Sequence, residues 1–273
     1  MTPSSASSSR HVLRERFGQW AVVTGASDGI GRAFAVDLAR AGMHLVLAAR
    51  RAEALQTLAT QLEAEHGIRT RVVPCDLATD AGVRAVVDES AALDVGLLIA
   101  AAGFGSSGAF LDQSLDSELS MIDLNCRAVA ALSHHFGRRF VERKRGGIVL
   151  ISSILGFAGV PLSANYAASK AYVQSLAEGL RAELTPLGVE VLAVAAGPTA
   201  TGFASRANLQ MGNAMSPAIV SQQSLRALGR MTTVRPGAIT KILDGSLRTV
   251  PRLLRSRILG VVMRGMTAHQ GKR

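Results

Sequence analysis

The chain has 273 residues, enough for one α/β domain or two small ones and enough to bury about three quarters of the unfolded surface. Apolar residues make up 48% and charged residues 18%, with only eight prolines, which excludes a disordered or collagen-like chain. The formal net charge is +10, and all of it sits in residues 226–273, where eleven basic residues face one acid, Asp244; basicity confined to one segment excludes a nucleic-acid protein with a basic face over its whole body.

Residues 1–18 read as a flexible tail, Ser-rich at its start and without the apolar core of a secretory signal. Short apolar runs then alternate with helical periodicity. Strands are predicted at 20–24, 44–48, 71–73, 97–100, 148–152 and 189–194. Helices are predicted at 30–40, 52–65, 81–91, 117–138 and 165–184, the last closed by Pro186 and Gly188. Continuous apolar strands between amphipathic helices mean a parallel sheet covered on both faces. The fold class is therefore α/β, a doubly wound Rossmann-type domain over 19–247, with a substrate lid at 198–225. The longest apolar stretch, near 95–104, is about half of what a bilayer requires. Cys75 and Cys126 stand in no CxxC pair, so neither a disulfide framework nor a metal site is expected, and a reducing cytoplasm fits them. His134 and His135 have no second ligand nearby and read as structural.

Between the first strand and first helix stands Thr24-Gly25-Ala26-Ser27-Asp28-Gly29-Ile30-Gly31. The first glycine permits a tight turn, and the later two admit a pyrophosphate and close helix packing. The helix N-terminus offers free N–H groups to phosphate. The second strand ends at Arg50-Arg51, where an acid would hold the ribose hydroxyls of NAD. Guanidiniums instead suit a 2′-phosphate, so NADP(H) is expected over NAD(H).

The helix after the fifth strand opens with Tyr166 and carries Lys170 one turn later, on the same helix face. A lysine charge some 4–6 Å away would lower a tyrosine pKa by about two units, making Tyr166 a usable general acid/base. Ser153 ends the fifth strand, and parallel strands deliver their carboxyl ends to one crevice.

Together, Thr24–Gly31, Asp76, Asn125, Ser153, Tyr166, Lys170 and Gly197 to Thr201 resemble the short-chain dehydrogenase/reductase family in order and spacing over about residues 19–205. The resemblance implies a seven-stranded parallel sheet and hydride transfer between NAD(P) and a carbonyl or alcohol. It implies Tyr166 as general acid/base, Lys170 on the nicotinamide ribose, Ser153 on the substrate oxygen and Asn125 holding a water beside Lys170. Asp76 would bind the adenine amino group and Thr201 the carboxamide. Ser27, Asp28, Ile30, Leu77, Ala102, Gly103, Gly197 and Thr199 complete the implied cofactor contacts. The family spacing selects Ser153 over Ser152. Pairing as a homodimer or homotetramer through the fourth and fifth helices is also implied. Two positions depart from the family: Ala100-Ala101 replaces two asparagines, with a stability cost expected, and Ala196-Gly197 replaces Pro-Gly.

The lid is rich in small and polar residues with Met211 and Met215, and Phe104-Gly105-Ser106-Ser107 should form the facing wall. An apolar ketone, a steroid or a 3-oxoacyl thioester would suit such a pocket. After Pro251, Leu254, Ile258, Val261 and Val262 share a helical face among arginines, making 251–264 of the 248–273 extension a basic amphipathic helix. It has three candidate partners: an anionic membrane, a second copy, or its own domain. The expected place is thus the cytoplasm, with a peripheral position at the inner membrane surface if the first partner holds. The segment from 226 contains no Trp, Tyr or Phe, which argues against nucleic acid. The competing reading is an NADP-binding scaffold without turnover.

Overall fold

The computed structural model describes residues 13–271, apart from 211, 213, 239, 242–244 and 246–249. Strand β1 (Trp20–Thr24) leads into helix α1 (Gly29–Arg40), β2 (His44–Ala49) into α2 (Ala52–His66), and β3 (Thr70–Pro74) into α3 (Asp80–Ser90). β4 (Val95–Ala100) precedes α4 (Leu115–Ile122) and α5 (Ala128–Glu142), and β5 (Gly146–Ser153) precedes α6 (Ala164–Leu184). β6 (Val189–Ala196) is followed by the short α7 (Phe203–Arg206), α8 (Pro217–Ala227), β7 (Thr233–Val234) and, near the C-terminus, α9 (Arg252–Met266).

The seven strands form one parallel sheet in the order β3-β2-β1-β4-β5-β6-β7. Strand order reverses between β1 and β4, which opens a crevice at their carboxyl ends. Side chains alternate across the sheet with period two. Val22, Val46, Leu98 and Ile148 meet Phe136 and Phe140 on one face. Val23, Leu47, Leu97 and Val149 meet Phe34, Leu38 and Leu55 on the other. Helices cover both faces, so β1, β4 and β5 are buried throughout. Local chemistry sets the helix ends. Asp28 caps α1 by accepting from Gly29 N at 2.7 Å, Thr79 caps α3, and Gly67 ends α2 in the left-handed region.

Several expectations are corrected. The single helix at 117–138 is longer and interrupted: α4 and α5 are joined by a π-helical turn, Asp123–Arg127. Periodicity does not reveal one extra residue per turn. The tail was expected to reach 18, but 13–17 is helical and Phe17 is buried. Phe17 fills the space left by Gly96 and Gly147 beneath the sheet, while Arg16 pairs with Glu190 at 2.9 Å. Residues 1–12 lie outside the described residues. Part of the segment expected as a lid, 198–225, packs inward. Val220, Ser221 and Ser224 of α8 are fully buried, and the Ser221 hydroxyl bonds Asp37 of α1, so α8 belongs to the core. Met211 lies outside the described residues. Of the three partners open to the basic helix, its own domain is one: Leu259 and Met263 of α9 pack with Ala158, Val160 and Ala167. Among the described residues no helix is long and apolar enough to cross a membrane.

Candidate active site

Gly25 adopts φ +67°, and a Cβ there would lie 2.9 Å from Ala102 N. Only glycine lets the β1–α1 turn pass so close to the end of β4. At Gly31 a Cβ would come within 2.3 Å of the Gly25 carbonyl oxygen, so α1 starts hard against the turn. Asp28 does more than cap the helix: its second carboxylate oxygen accepts from Gly202 N at 3.1 Å, which ties the turn to the lid. Helix α1 thus aims its first N–H groups and dipole into the crevice.

The end of β2 supplies two guanidiniums. Arg51 donates to the carbonyl and hydroxyl oxygens of Ser27 at 3.3 Å each and lies 3.9 Å from Asp28. Arg50 also lines the crevice. Opposite stands Arg206 of α7, its guanidinium 4.0 Å from the centre of the Phe104 ring. Burial and then Arg50 push the pKa of Arg206 down, against the pull of Asp76.

At the end of β4, where the alanines stand, Thr24 holds the chain. Its hydroxyl oxygen accepts from Ala101 N and Ala102 N at 3.0 Å each. Gly103 follows, and a Cβ on it would lie 3.0 Å from Asn125 Oδ1 and 3.4 Å from Lys170 Nζ.

β5 and α6 bring the reactive group together. Ser153, the last residue of β5, accepts from Leu155 N at 3.2 Å and pulls the pKa of the Tyr166 phenol down. Lys170 Nζ donates to Ile151 O at 2.8 Å and lies 5.8 Å from the centre of the Tyr166 ring. Ser152 donates to Lys170 O at 2.9 Å, which ties β5 to α6, and also lines the cavity. Asn125, in the π-helical turn, accepts from Phe104 N at 3.1 Å and donates to Phe104 O at 2.8 Å and Ser169 Oγ at 3.0 Å. Its side chain is committed to positioning the β4 loop against α6.

The electrostatics correct one expectation. Burial pushes the Tyr166 phenol up to about 12, with Ser153 pulling the other way. Burial likewise pushes Lys170 down to about 8. Loss of hydration outweighs the Coulomb attraction expected between them, because both groups are removed from water. Tyr166 therefore holds its proton throughout the neutral range.

These elements enclose a cavity of about 650 Å³. Gly25, Ser27, Asp28, Gly29, Ile30, Gly31, Arg50, Arg51, Asp76, Leu77, Ala102, Gly103, Tyr166, Lys170, Gly197, Thr199 and Thr201 all line it. Asn125 and Ser153 are not among the lining residues; Asn125 bonds to Phe104, which lines the cavity, and Ser153 lies between the lining residues Ser152 and Ile154 in the chain. The predicted wall is present as Phe104 and Ser106. Ser107 anchors the lid by donating to Ala207 O at 2.6 Å. The sequence reading missed the roof: Leu209 and, from α9, Leu259, Val262, Met263 and Met266 close the apolar half. The amphipathic stripe after Pro251 was the available signal, but stripe alone does not say what it covers.

The cavity fits a nicotinamide dinucleotide at three points. Gly25, Gly29 and Gly31 line the cavity with bare backbone at the start of α1, cations stand at the β2 end, and Lys170 Nζ makes one hydrogen bond among the described residues.

Fold and site together define a Rossmann-type oxidoreductase. The chain belongs to the short-chain dehydrogenase family, whose sequence profile matches residues 19–212. It is 36% identical over 189 residues to a 7β-hydroxysteroid dehydrogenase of Clostridium sardiniense, covering 69% of this chain and 72% of that one. A solved structure described as giving insights into 7β-hydroxysteroid dehydrogenase stereoselectivity superposes with TM-score 0.85 at 27% identity, over 90% of this chain and 98% of the other. A short-chain dehydrogenase from Sphingobium yanoikuyae in complex with NADPH superposes with TM-score 0.73 at 34% identity, over 76% and 83%.

Proposed function

We propose that the protein is an NADP(H)-dependent reductase of an apolar ketone, steroid-sized or fatty, with Tyr166 as general acid/base. The observation that carries this reading is the buried Tyr166–Lys170 pair lining a cavity with an apolar roof, with buried Ser153 beside it. Bound NADPH supplies a hydride. Arg50 and Arg51 hold the 2′-phosphate through charge-assisted bonds, with Gly25 to Gly31 and the α1 terminus around the pyrophosphate. Asp76 and Leu77 receive the adenine, and Thr199 and Thr201 the carboxamide end. Lys170, protonated below about pH 8, donates to the nicotinamide ribose hydroxyls. Ser153 donates to the substrate oxygen, and Tyr166 gives its proton to that oxygen as the carbonyl becomes an alcohol. A phenol that stays protonated at neutral pH suits the reductive direction. The similar 7β-hydroxysteroid dehydrogenases support a bulky apolar substrate.

We further propose a homo-oligomer located in the cytoplasm. Leu111, Leu115, Leu119 and Ile122 lie exposed on and before α4, beside Tyr172 of α6, and such a patch suits pairing of two copies.

The test is NADPH oxidation over apolar ketones, oxosteroids and 3-oxoacyl thioesters, with Tyr166→Phe alongside. The expected result is turnover on at least one class that the variant loses by roughly 10²–10⁴-fold while still binding NADPH. Tight NADPH binding with no turnover on any class would hand the function to the scaffold reading.

A further inference from the structure

We propose that α9 is a docking face for an anionic lipid surface and that docking turns the mouth of the substrate chamber toward the bilayer. The second part rests on the apolar-substrate reading above; the first does not. One side of α9 is anchored. Leu259, Gly260 and Met263 are buried, and a Cβ on Gly260 would lie 3.1 Å from the Pro161 ring. The other side is bare. Leu253 is 82% exposed and Val261 60%, and Leu254, Ile258 and Val262 are also exposed.

Position around the helix sharpens this. At roughly 100° per residue, Val261, Leu254, Ile258 and Val262 fall in one arc of about 100°, and Arg257 and Arg264 border it along one edge, beside Val261. Both arginines are exposed, and no acidic residue lies anywhere from Pro251 to Gly271. An apolar strip edged by cations is the composition of a helix lying in the plane of a membrane surface: apolar side chains enter the headgroup boundary and guanidiniums meet lipid phosphates.

A second copy is the weaker occupant. A two-fold interface on this face would set Arg257 and Arg264 close to their own copies. The apolar patch of α4 differs in charge: Asp112, Asp116, Glu118 and Asp123 lie within its sequence, so it lacks the cationic edge an anionic lipid needs.

The strip also runs into the site. Ile258 and Val262 are exposed and at the same time line the cavity above Tyr166. An apolar molecule leaving a bilayer against α9 would pass from lipid to chamber along continuous apolar surface.

The experiment is flotation of the full chain with vesicles of phosphatidylcholine and phosphatidylglycerol in equal parts, against phosphatidylcholine alone. Leu254→Glu/Val261→Glu and Arg257→Glu/Arg264→Glu alter the outer face only, and Leu111→Glu/Leu115→Glu controls for the α4 patch. NADPH binding reports that each variant is folded. The wild type should float with the anionic vesicles alone. Each α9 variant should lose roughly tenfold or more of that binding, and the α4 variant should keep it. No flotation of the wild type overturns the proposal, as does equal flotation of the α9 variants. So does a halved mass of the α9 variants in sedimentation without wild-type flotation, which would assign the face to a second copy. With cholestanone dissolved in the anionic vesicles, KM should be several-fold lower for the wild type than for Arg257→Glu/Arg264→Glu; equal KM values overturn the chamber half. Absence of turnover on every ketone would count against the reductase reading, and flotation would still decide the docking.

Discussion

Thr24 accepts the amide hydrogen of Ala101 at 3.0 Å across the junction of β1 and β4. The same hydroxyl takes Ala102 N at 3.0 Å, so a threonine side chain secures the crossover point of the sheet where this chain has alanines. Thr24→Val keeps the shape and removes the acceptor. Ala102 N then loses its acceptor while Ala101 N keeps only Ile99 O at 3.1 Å, at a cost of about 1–2 kcal/mol. Denaturant unfolding should show that loss, with Thr24→Ser recovering most of it.

Lys170 makes the pH dependence of the reaction legible. Its pKa is pushed down to about 8 by burial. Below that value it is charged and able to hold the ribose, and above it the charge is lost. The kcat/KM for ketone reduction should therefore fall as pH rises through about 8. Tyr166, pushed up to about 12, contributes no limb in that range. A profile flat to pH 10 would contradict this assignment.

The same lysine weighs on stability. Its pKa stands at 10.5 in the ordinary state and about 8 in the fold. Between those values the unfolded chain binds more protons, so stability rises with pH there. Below pH 8 the full cost of burying the ammonium is present. Lys170→Met should stabilise the protein at pH 7 by up to about 3 kcal/mol, flatten the rise between 8 and 10.5, and abolish turnover. Thermal unfolding across pH measures all three together with an activity assay.

Arg50 and Arg51 carry the proposed cofactor choice. Removing both as alanines deletes the charge-assisted contacts to a 2′-phosphate, worth about 1.5–3 kcal/mol each. The Kd for NADPH should rise by at least tenfold, and that for NADH should stay within about twofold. Fluorescence titration with the two nucleotides gives the ratio directly.

Met263 tests the roof. It is buried in α9, lines the cavity and packs with Ala158 and Val160. Met263→Ala should cost about 2–4 kcal/mol of stability and raise KM for steroid-sized ketones. NADPH affinity should not change, because Met263 touches the apolar half alone.

Much of this was legible in the chain itself. The glycine turn, Arg50-Arg51 and the Ser153, Tyr166 and Lys170 set lie at strand ends, and parallel strands open their carboxyl ends to one side. Sequence order therefore became spatial adjacency. Less legible were features decided by tertiary packing. Thr24 looks like an ordinary strand residue until Ala101 is placed beside it. β7 is two residues long, too short for any alternation to show. The π-helical turn at Asn125 has the composition of a plain helix. The Tyr166 pKa was misjudged because burial, which raises it, is not visible in a spacing of four. The α9 stripe announced an amphipathic helix, but its inner face could be assigned only once Ala158 and Val160 were seen against it.

The family match ends at residue 212, while most of the roof, Leu209 apart, comes from 252–266. The part of the cavity suited to cofactor and proton transfer lies within the family-matched stretch, and much of the apolar roof lies beyond it. Change in the last thirty residues or so can redraw the chamber without disturbing the turn, the arginines or the Tyr166–Lys170 pair. In such an arrangement a new substrate can be acquired by grafting a tail, and libraries confined to α9 are the direct route to altering what this oxidoreductase accepts.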